Sequence, residues 1–300
     1  MVDFHTHSNI SDGDLSPDVL VERAAKQGLT ALALTDHDTI KGLEIAANSA
    51  KSLENFKFIP GIEVNISWTG SKNVPGMGPG GEFHLLGLGI NSPSPAFIAA
   101  IEELSRKRVA RNMEILDRMH ELSIDAAWEE LLAIAGRDGI SSDQRGYSIG
   151  RPHFAALLIN RKIVKNTSQA FERYLGVGKP LYVPKEGLIF EEAVSLIRES
   201  GGIPVLAHPI SLYVAWGRLP DLIKALKDKG LMGLEAWHPT AKNSSCRRLE
   251  ALAQSLDLYI TEGSDYHGAI RPDRKLGYSG KSRKISDAVL QAIPELMSDR

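Results

Sequence analysis

Histidine and acidic side chains recur at the ends of apolar segments of strand length, and this feature restricts the fold more than any other. Residues 2–4 indicate a short strand, and the alternation of an extended chain turns His5 and His7 to the same face. Asp12 follows in a turn rich in Ser, Asp and Gly, and the next apolar run leads into His37. Later strand-like segments carry Glu63, His208, Asp265 and His267. Because the carboxyl ends of strands in a parallel barrel meet at one rim, we expect these side chains to meet.

The apolar runs alternate with segments of helical periodicity over most of the chain. This alternation predicts an α/β fold whose parallel strands are covered on both faces. The predicted strands after the first span residues 30–35, 56–64, 82–89, 202–209, 231–238 and 258–263. The predicted helices span residues 17–27, 40–53, 190–200, 219–229 and 247–256.

Residues 95–178 interrupt this alternation. Apolar residues at helical spacing predict helices at 96–119, at 126–135, at 168–175 and from about residue 150 onward. We interpret this stretch as a helical insertion that forms a lid, and we assign residues 1–94 and 179–300 to the barrel. The Gly-rich and Pro-rich residues 71–81 predict a loop.

The bulk composition limits the possible partners. The chain has 300 residues, 43% of them hydrophobic, which allows a large core. A formal net charge of −2 gives no global field for long nucleic acid or an anionic membrane, so phosphate recognition must be local. Cys246 is the only cysteine, which excludes an internal disulfide and fits a reducing compartment. Since the sequence contains no leader and no apolar run near the ~20 residues of a membrane helix, we expect a cytoplasmic protein. No obligate protein partner is evident from the sequence, and we expect none.

The mixture of imidazole and carboxylate ligands indicates the kind of metal site. Such ligands suit Mn, Fe or Zn, and the absence of thiolates argues against a closed structural zinc site. Eight candidate ligands are too many for one ion, so we expect two or three divalent ions with Glu63 or Asp265 as a bridge. A carboxylate such as Glu63 inside an apolar strand needs a metal or a cation as its partner. Adjacent divalent ions lower the pKa of a shared water, and the pattern therefore predicts a hydrolase.

Seven short motifs carry a resemblance to a known family. They are His-Thr-His-Ser at 5–8, Ser-Asp-Gly at 11–13, Thr-Asp-His-Asp-Thr at 35–39, Gly-Ile-Glu at 61–63, Arg-Pro-His-Phe-Ala at 151–155, Ala-His-Pro at 207–209 and Gly-Ser-Asp-Tyr-His at 263–267. Together they resemble the PHP (polymerase and histidinol phosphatase) family over nearly the whole chain. The nearest branch contains the 3′,5′-nucleoside bisphosphate phosphatases and an exonuclease that trims short 5′-phosphorylated RNA. The resemblance implies a distorted (β/α)7 barrel of the α/β class with an inserted, mostly helical subdomain.

The resemblance also implies three sets of metal ligands, with Mn as the leading ion. The first set is His5, His7, Glu63 and Asp265; the second is Asp12, His37 and His267; the third is Glu63, His84 and His208. His84 stands near the start of its predicted strand and enters the ligand set through the resemblance alone. Asp12, Asp265, His267 and His238 are the candidate catalytic residues.

A substrate phosphate needs cations, and four side chains are candidates to bind it. Arg151 begins a predicted helix, where its guanidinium and the backbone N–H groups both suit a phosphate. His153 is placed similarly, with a position in the core as the alternative. Arg108 and Arg111 lie on an amphipathic helix, where charges usually form a solvated face. His238 either protonates the leaving oxygen or caps the end of a strand.

The hypothesis for function is a metal-dependent phosphomonoesterase that acts on a small nucleotide. The leading substrate is adenosine 3′,5′-bisphosphate, whose 3′-phosphate would be removed to give AMP, and short 5′-phosphorylated RNA ends are a further possibility. Histidinol-phosphate phosphatase is the alternative within the same chemistry. Amide or lactone hydrolysis is disfavoured because no strand-end Lys is present to be carbamylated. The alternative of another class is a non-catalytic module that binds metal and phosphate.

Overall fold

Seven strands form one mixed sheet that nearly closes into a barrel. The structure is a computed structural model, and it describes residues 1–67, 81–135, 149–280 and 283–297; residues 71–80 of the predicted loop lie outside these ranges. The strands are β1 (Val2–Asp3), β2 (Ala31–Leu34), β3 (Lys57–Asn65), β4 (His84–Leu88), β5 (Ile203–Leu206), β6 (Gly233–Trp237) and β7 (Tyr259–Glu262). They lie in the sheet in the same order as in the sequence. The predicted seven-stranded α/β barrel is therefore confirmed.

The strands form from apolar runs that are buried on both faces. All four residues of β2 and all four of β5 are buried, as in sheets covered by helices. Parallel pairing joins β1, β2 and β3, and it joins β5, β6 and β7. β4 is antiparallel to both of its neighbours, so the expectation of an all-parallel barrel is wrong at this strand.

The reversal of β4 explains the position of His84. In the β3–β4 ladder, Asn65 at the end of β3 is paired with His84 at the start of β4. The beginning of a reversed strand lies at the same rim as the ends of its parallel neighbours. His84 thus reaches the rim although it does not follow an apolar run.

The barrel closes between its first and last strands through backbone hydrogen bonds. Phe4 N donates to Glu262 O at 3.3 Å, and His7 N donates to Tyr266 O at 2.9 Å. These bonds bring the segments that follow β1 and β7 next to each other.

Helices cover the sheet and also form the region between β4 and β5. They are α1 (Pro17–Lys26), α2 (Leu43–Ala50), α3 (Pro95–Glu121), α4 (Trp128–Ile134), α5 (Arg151–Asn160), α6 (Thr167–Ala170), α7 (Phe190–Glu199), α8 (Leu219–Asp228), α9 (Asn243–Ser255), α10 (Asp287–Gln291) and α11 (Pro294–Met297). The chain beyond α6 continues as one turn of π-helix, Phe171–Leu175. α9 begins four residues before the predicted position. In the part of the chain that the structure describes, no helix has both the length and the apolar character needed to span a membrane.

The long helix α3 contributes to two hydrophobic clusters. Near its start, Phe97 and Leu104 pack into a cluster with barrel residues such as Ile62, which we call the barrel-side cluster. Near its end, Ile115 packs into a separate cluster with residues such as Phe154, which we call the insertion cluster. The division of the chain at residues 95 and 178 stays a prediction.

Candidate metal centre

The strand ends bring nine imidazole and carboxylate side chains together at one rim of the barrel. These are His5, His7, Asp12, His37, Glu63, His84, His208, Asp265 and His267, the full set of predicted metal ligands. Two of them have positive φ angles, 27° at His208 and 49° at Asp265. Residues other than glycine rarely adopt this backbone conformation. Such strained backbone is concentrated at functional sites, where the surrounding structure maintains it.

Glu63 lies at the centre of the cluster, and its two oxygens face different histidines. Glu63 Oε2 is 3.3 Å from both His5 Nε2 and His7 Nε2, and 3.0 Å from His37 Nδ1. Glu63 Oε1 is 2.7 Å from His84 Nδ1 and 2.9 Å from His208 Nε2. One carboxylate between two groups of imidazoles is the arrangement expected of a ligand that bridges two ions.

The carboxylates of Asp12 and Asp265 face the remaining imidazoles. Asp265 Oδ1 is 3.2 Å from His7 Nε2 and 3.4 Å from His267 Nδ1. Asp12 Oδ1 is 3.2 Å from His267 Nε2, and Asp12 Oδ2 is 3.8 Å from His37 Nε2. His7, Asp12, His37 and His267 each offer one ligand atom, and these four atoms lie within 4.8 Å of one another. The geometry therefore brings together the predicted second ligand set and adds His7 to it.

The buried charges of the cluster shift one another's pKa values. Burial raises the pKa of Glu63, but His37, His84 and His5 outweigh that effect and hold it well below the usual range. Burial lowers the pKa of His84 to about 4 in spite of the nearby Glu63 carboxylate. Burial also opposes the charged form of His5, yet the carboxylates of Glu235 and Glu63 raise its pKa to about 10. The Glu63 carboxylate is thus ionised and available as a ligand at neutral pH.

Three buried atoms of the cluster bear on whether its residues fit metal ions. His37 Nδ1, Glu63 Oε2 and His84 Nε2 are buried and make no hydrogen bond of acceptable geometry among the described residues, although His37 Nδ1 and Glu63 Oε2 lie only 3.0 Å apart. Buried polar atoms of this kind are uncommon and need an explanation such as an ion. Nitrogen and carboxylate donors suit Mn, Fe and Zn, so the residues present fit divalent ions of this class.

Glu235 supports the cluster from behind, although it was not among the predicted site residues. His5 Nδ1 donates to Glu235 Oε1 at 3.0 Å, and His208 N donates to Glu235 Oε2 at 2.6 Å. A carboxylate that accepts from one ring nitrogen directs the lone pair of the other nitrogen toward a metal. Glu235 lies inside an apolar strand, as Glu63 does, and the same signal would have found it.

Asp36 fixes the turn that carries Asp12. It accepts hydrogen bonds from Ser8 N at 2.8 Å, from Ser8 Oγ at 2.6 Å and from Ser11 Oγ at 2.6 Å. The turn therefore has a defined position relative to β2. Asp36 directly follows the predicted strand 30–35, but nothing in the pattern indicates that it holds the turn of Asp12.

A cavity of about 330 Å³ opens above the cluster, and cationic side chains line it. The cations are Arg108, Arg151, Lys185, Arg271 and Arg274. Arg151 Nη2 is 2.9 Å from Glu82 Oε1, and Lys185 Nζ is 3.4 Å from the same oxygen. The predicted substrate residue Arg151 thus faces the cavity, together with Lys185, which the sequence analysis missed because no periodic pattern surrounds it.

The other predicted substrate and catalytic residues have varied positions. Arg108 lines the cavity and pairs with Asp38, whereas Arg111 lies outside it, with Nε donating to Val183 O at 3.0 Å. His153 is buried at the start of α5, where its Nδ1 accepts from Gly150 N at 3.0 Å, and it does not line the cavity. His238 does line it.

His238 contacts the cluster directly. Its Nε2 is 3.1 Å from Asp265 Oδ2, and its Nδ1 is 2.7 Å from Thr240 Oγ1. Burial holds the pKa of His238 well below its ordinary value. Because a neutral imidazole is a weak proton donor, its role as the acid for the leaving oxygen gains no support from this environment and stays a prediction.

The chain matches one family model and is similar to several known proteins. Residues 3–174 match the family model of the PHP domain. A 5′-3′ exoribonuclease of Haemophilus influenzae is 33% identical over 265 residues, which cover 88% of this chain and 89% of the relative. A 3′,5′-nucleoside bisphosphate phosphatase of Chromobacterium violaceum is 30% identical over 278 residues, which cover 93% of this chain and 91% of the relative.

A solved structure supports both the fold and the chemistry. A protein from Bifidobacterium adolescentis, assigned as a metal-dependent phosphoesterase, has a TM-score of 0.79 at 26% identity, covering 98% of this chain and 96% of the other. The resemblance deduced from the seven motifs is thereby confirmed. The chain belongs to the PHP family of metal-dependent phosphoesterases.

Proposed function

We propose that the protein is a phosphomonoesterase that removes a phosphate group from a small nucleotide. One observation carries the proposal: Glu63, with histidines facing each of its oxygens, lies at the floor of a cavity that also contains Arg108, Arg151 and Lys185. Grouped nitrogen and carboxylate ligands suit two or three divalent ions. The cationic wall suits the oxygens of a phosphate group.

The side chains at the floor hold the ions. His5, His7, Glu63 and Asp265 form the first set; Asp12, His37 and His267, with His7 nearby, form the second; Glu63, His84 and His208 form the third. When bound, divalent ions supply Lewis-acid activation of water and neutralise charge on the phosphate. Manganese is the ion we propose.

The cations of the wall orient the substrate. Arg151 offers two parallel N–H donors to phosphate oxygens, and Lys185 contributes a compact positive charge. Glu82 lies between these two side chains and reduces their mutual repulsion. A phosphate group that enters the cavity is thereby bound between the wall and the ligand cluster.

An aromatic residue at the cavity favours a nucleotide over a smaller phosphate ester. Tyr213 lines the cavity with 71% of its surface exposed, and its backbone has a φ of 51°. An exposed aromatic ring offers a flat face on which a base stacks, and such contacts contribute about 1–3 kcal/mol per base. Of the two relatives described above, one is named as a nucleoside bisphosphate phosphatase and the other as an exoribonuclease.

Adenosine 3′,5′-bisphosphate, hydrolysed to AMP, is the substrate we place first. Short RNA with a 5′-phosphate is the second candidate, because one relative is named as an exoribonuclease. Histidinol phosphate stays the alternative with a different organic group. Membership in a family of phosphoesterases disfavours the non-catalytic module.

A panel of phosphate esters tests the proposal. Adenosine 3′,5′-bisphosphate, a short 5′-phosphorylated RNA and histidinol phosphate are incubated with Mn(II), and inorganic phosphate and nucleoside products are measured. We expect the bisphosphate to have the highest kcat/KM, and we expect excess chelator to abolish turnover. A preference for histidinol phosphate, or equal turnover after chelation, would contradict the proposal.

Two variants test the assignment of the cluster. Glu63→Gln and Asp265→Asn should each abolish turnover while circular dichroism shows a folded protein. Glu262→Gln is the matched control, because Glu262 is also a buried strand acid but pairs with Arg283 at 2.8 Å, outside the cluster. Activity of either test variant at the level of the control would refute the assignment.

A further inference from the structure

A second, smaller cavity lies beside the one that contains the metal centre. Its volume is about 200 Å³, and α3 and residues 183–186 form its walls. Arg108 and Lys185 line both cavities, whereas Arg111 lines only the smaller one. The two spaces thus share a cationic wall.

Arg111 is a buried cation without a matching anion. Only 7% of its surface is exposed, and its Nε donates to Val183 O. Its Nη2 is buried and has no hydrogen-bond partner in the described ranges. Burial, together with the neighbouring charges of Arg151 and Arg108, lowers the pKa of Arg111 to about 9. A buried guanidinium surrounded by other cations is unfavourable unless an anion joins it.

The acidic residues on the cavity wall do not fill this role, because each pairs with a different cation. Asp38 pairs with Arg108. Glu186 Oε2 is 2.8 Å from Lys107 Nζ, and Glu114 Oε1 is 2.7 Å from Arg118 Nη2. None of these pairs includes Arg111, so its charge is available to a ligand.

We propose that the smaller cavity is a binding site for a phosphate group, with Arg111 as its principal donor and Arg108 and Lys185 as the cations shared with the metal cavity. The volume of about 200 Å³ equals roughly six or seven waters at about 30 Å³ each, which suits a phosphate group with a few waters and is too small for a whole nucleotide. The phosphate is either the second phosphate of a doubly phosphorylated substrate or free inorganic phosphate.

Binding of a second substrate phosphate rests on the proposed function, whereas binding of free inorganic phosphate does not. If a substrate carries two phosphate groups, one of them lies over the metal centre and the other reaches Arg111 past the shared wall. Arg111 then determines the preference for two phosphates over one. If free phosphate is the ligand, the same cavity binds it beside the metal centre.

Kinetics distinguish these sources through one ratio. The kcat/KM for adenosine 3′,5′-bisphosphate is divided by that for adenosine 3′-monophosphate, using the Mn(II)-loaded full-length protein. Arg111→Met should lower this ratio at least tenfold. Arg106→Met is the matched control on the same helix, because Arg106 pairs with Glu103 at 2.7 Å and neither residue lines either cavity; its ratio should stay within twofold of the wild type.

Calorimetry with inorganic phosphate tests the site without relying on nucleotide hydrolysis. The Mn(II)-loaded wild type should bind one more phosphate than Arg111→Met does, and Arg106→Met should behave as the wild type. If Arg111→Met fails to fold, Arg111→Lys replaces it in both measurements, and we expect a ratio lowered at least threefold and weaker phosphate binding. If Arg111→Met leaves the kcat/KM ratio unchanged but loses phosphate binding, the site binds free phosphate. An unchanged ratio with unchanged phosphate binding overturns the proposal.

Failure of the proposed function has a different signature. If the wild type hydrolyses neither nucleotide, the phosphomonoesterase proposal fails for nucleotides. The calorimetric comparison still decides whether the cavity at Arg111 binds phosphate.

Discussion

At the scale of single residues, the metal centre depends on a glycine that sequence patterns would treat as ordinary. A Cβ atom at Gly263 would lie 2.3 Å from His5 Cβ and 2.5 Å from Glu235 Oε1. Neither neighbour can move freely, because His5 and Glu235 are both fully buried. Gly263 therefore allows the last strand to approach the first closely enough for a shared site.

Gly263→Ala should displace His5 and Glu235 and lower kcat/KM about a hundredfold, the loss expected for a misplacement of about 1 Å. The measurement is phosphate release under Mn(II) saturation. Gly217→Ala is the control, because a Cβ atom there meets nothing within 4 Å. Equal activity of the two variants would show that the close approach is unimportant.

Glu235→Gln should weaken Mn(II) binding about 10-fold to 100-fold, the usual effect of losing a residue that orients a ligand. The physical reason is that a neutral amide no longer holds the Nδ1–H of His5. Titration calorimetry with Mn(II) measures the effect. Glu262→Gln provides the comparison, and similar affinities in both variants would contradict the role given to Glu235.

The sequence predicted which side chains meet at the rim better than it predicted what surrounds them. The predicted ligands other than His84 follow apolar runs or lie within them, so their meeting at one rim follows from barrel geometry. Lys185 has no such pattern, and Asp36 follows an apolar run without any sign that it would bind Ser8 and Ser11. Their positions depend on how the segments around them pack, and that information is not local.

At the scale of elements, the direction of a strand is the property that pattern analysis could not provide. The alternation of side chains is the same for a parallel and an antiparallel strand. β4 was therefore predicted at the correct place but with the wrong direction. The direction matters for the site, because only the reversed strand brings His84 to Glu63.

The insertion cluster offers a test of whether the insertion unfolds as an independent unit. Phe154→Ala removes a fully buried ring from the insertion cluster, and we expect it to lower the free energy of unfolding by about 3–5 kcal/mol. If the insertion cluster unfolds separately, amide exchange should accelerate in α5 but stay slow in β2 and β3. Urea unfolding and hydrogen exchange measure the two effects.

Phe97→Ala is the matched control, since Phe97 lies on α3 itself but in the barrel-side cluster. It should reduce protection in the barrel strands. Equal loss of protection in α5 and β3 for Phe154→Ala would argue for one cooperative unit and against the predicted division.

At the scale of the whole molecule, metal ions should stabilise the folded state. Ions that bind only the folded chain add about 2.7 kcal/mol at a concentration 100 times Kd. We expect Mn(II) to raise Tm by several degrees, and we expect a chelator to reverse the change. Differential scanning fluorimetry measures it.

Glu63→Gln separates specific stabilisation from a general effect of the ion. Since Glu63 contacts both groups of histidines, its variant should show a much smaller rise in Tm with Mn(II). A rise equal to that of the wild type would place the stabilising ions elsewhere.

The closure between β1 and β7 has a consequence for the synthesis of the protein. His5 and His7 are translated long before Asp265 and His267, which complete their surroundings. The early histidines must wait for these partners. A nascent chain of this enzyme therefore has an incomplete metal centre until the segment that follows β7 has been made.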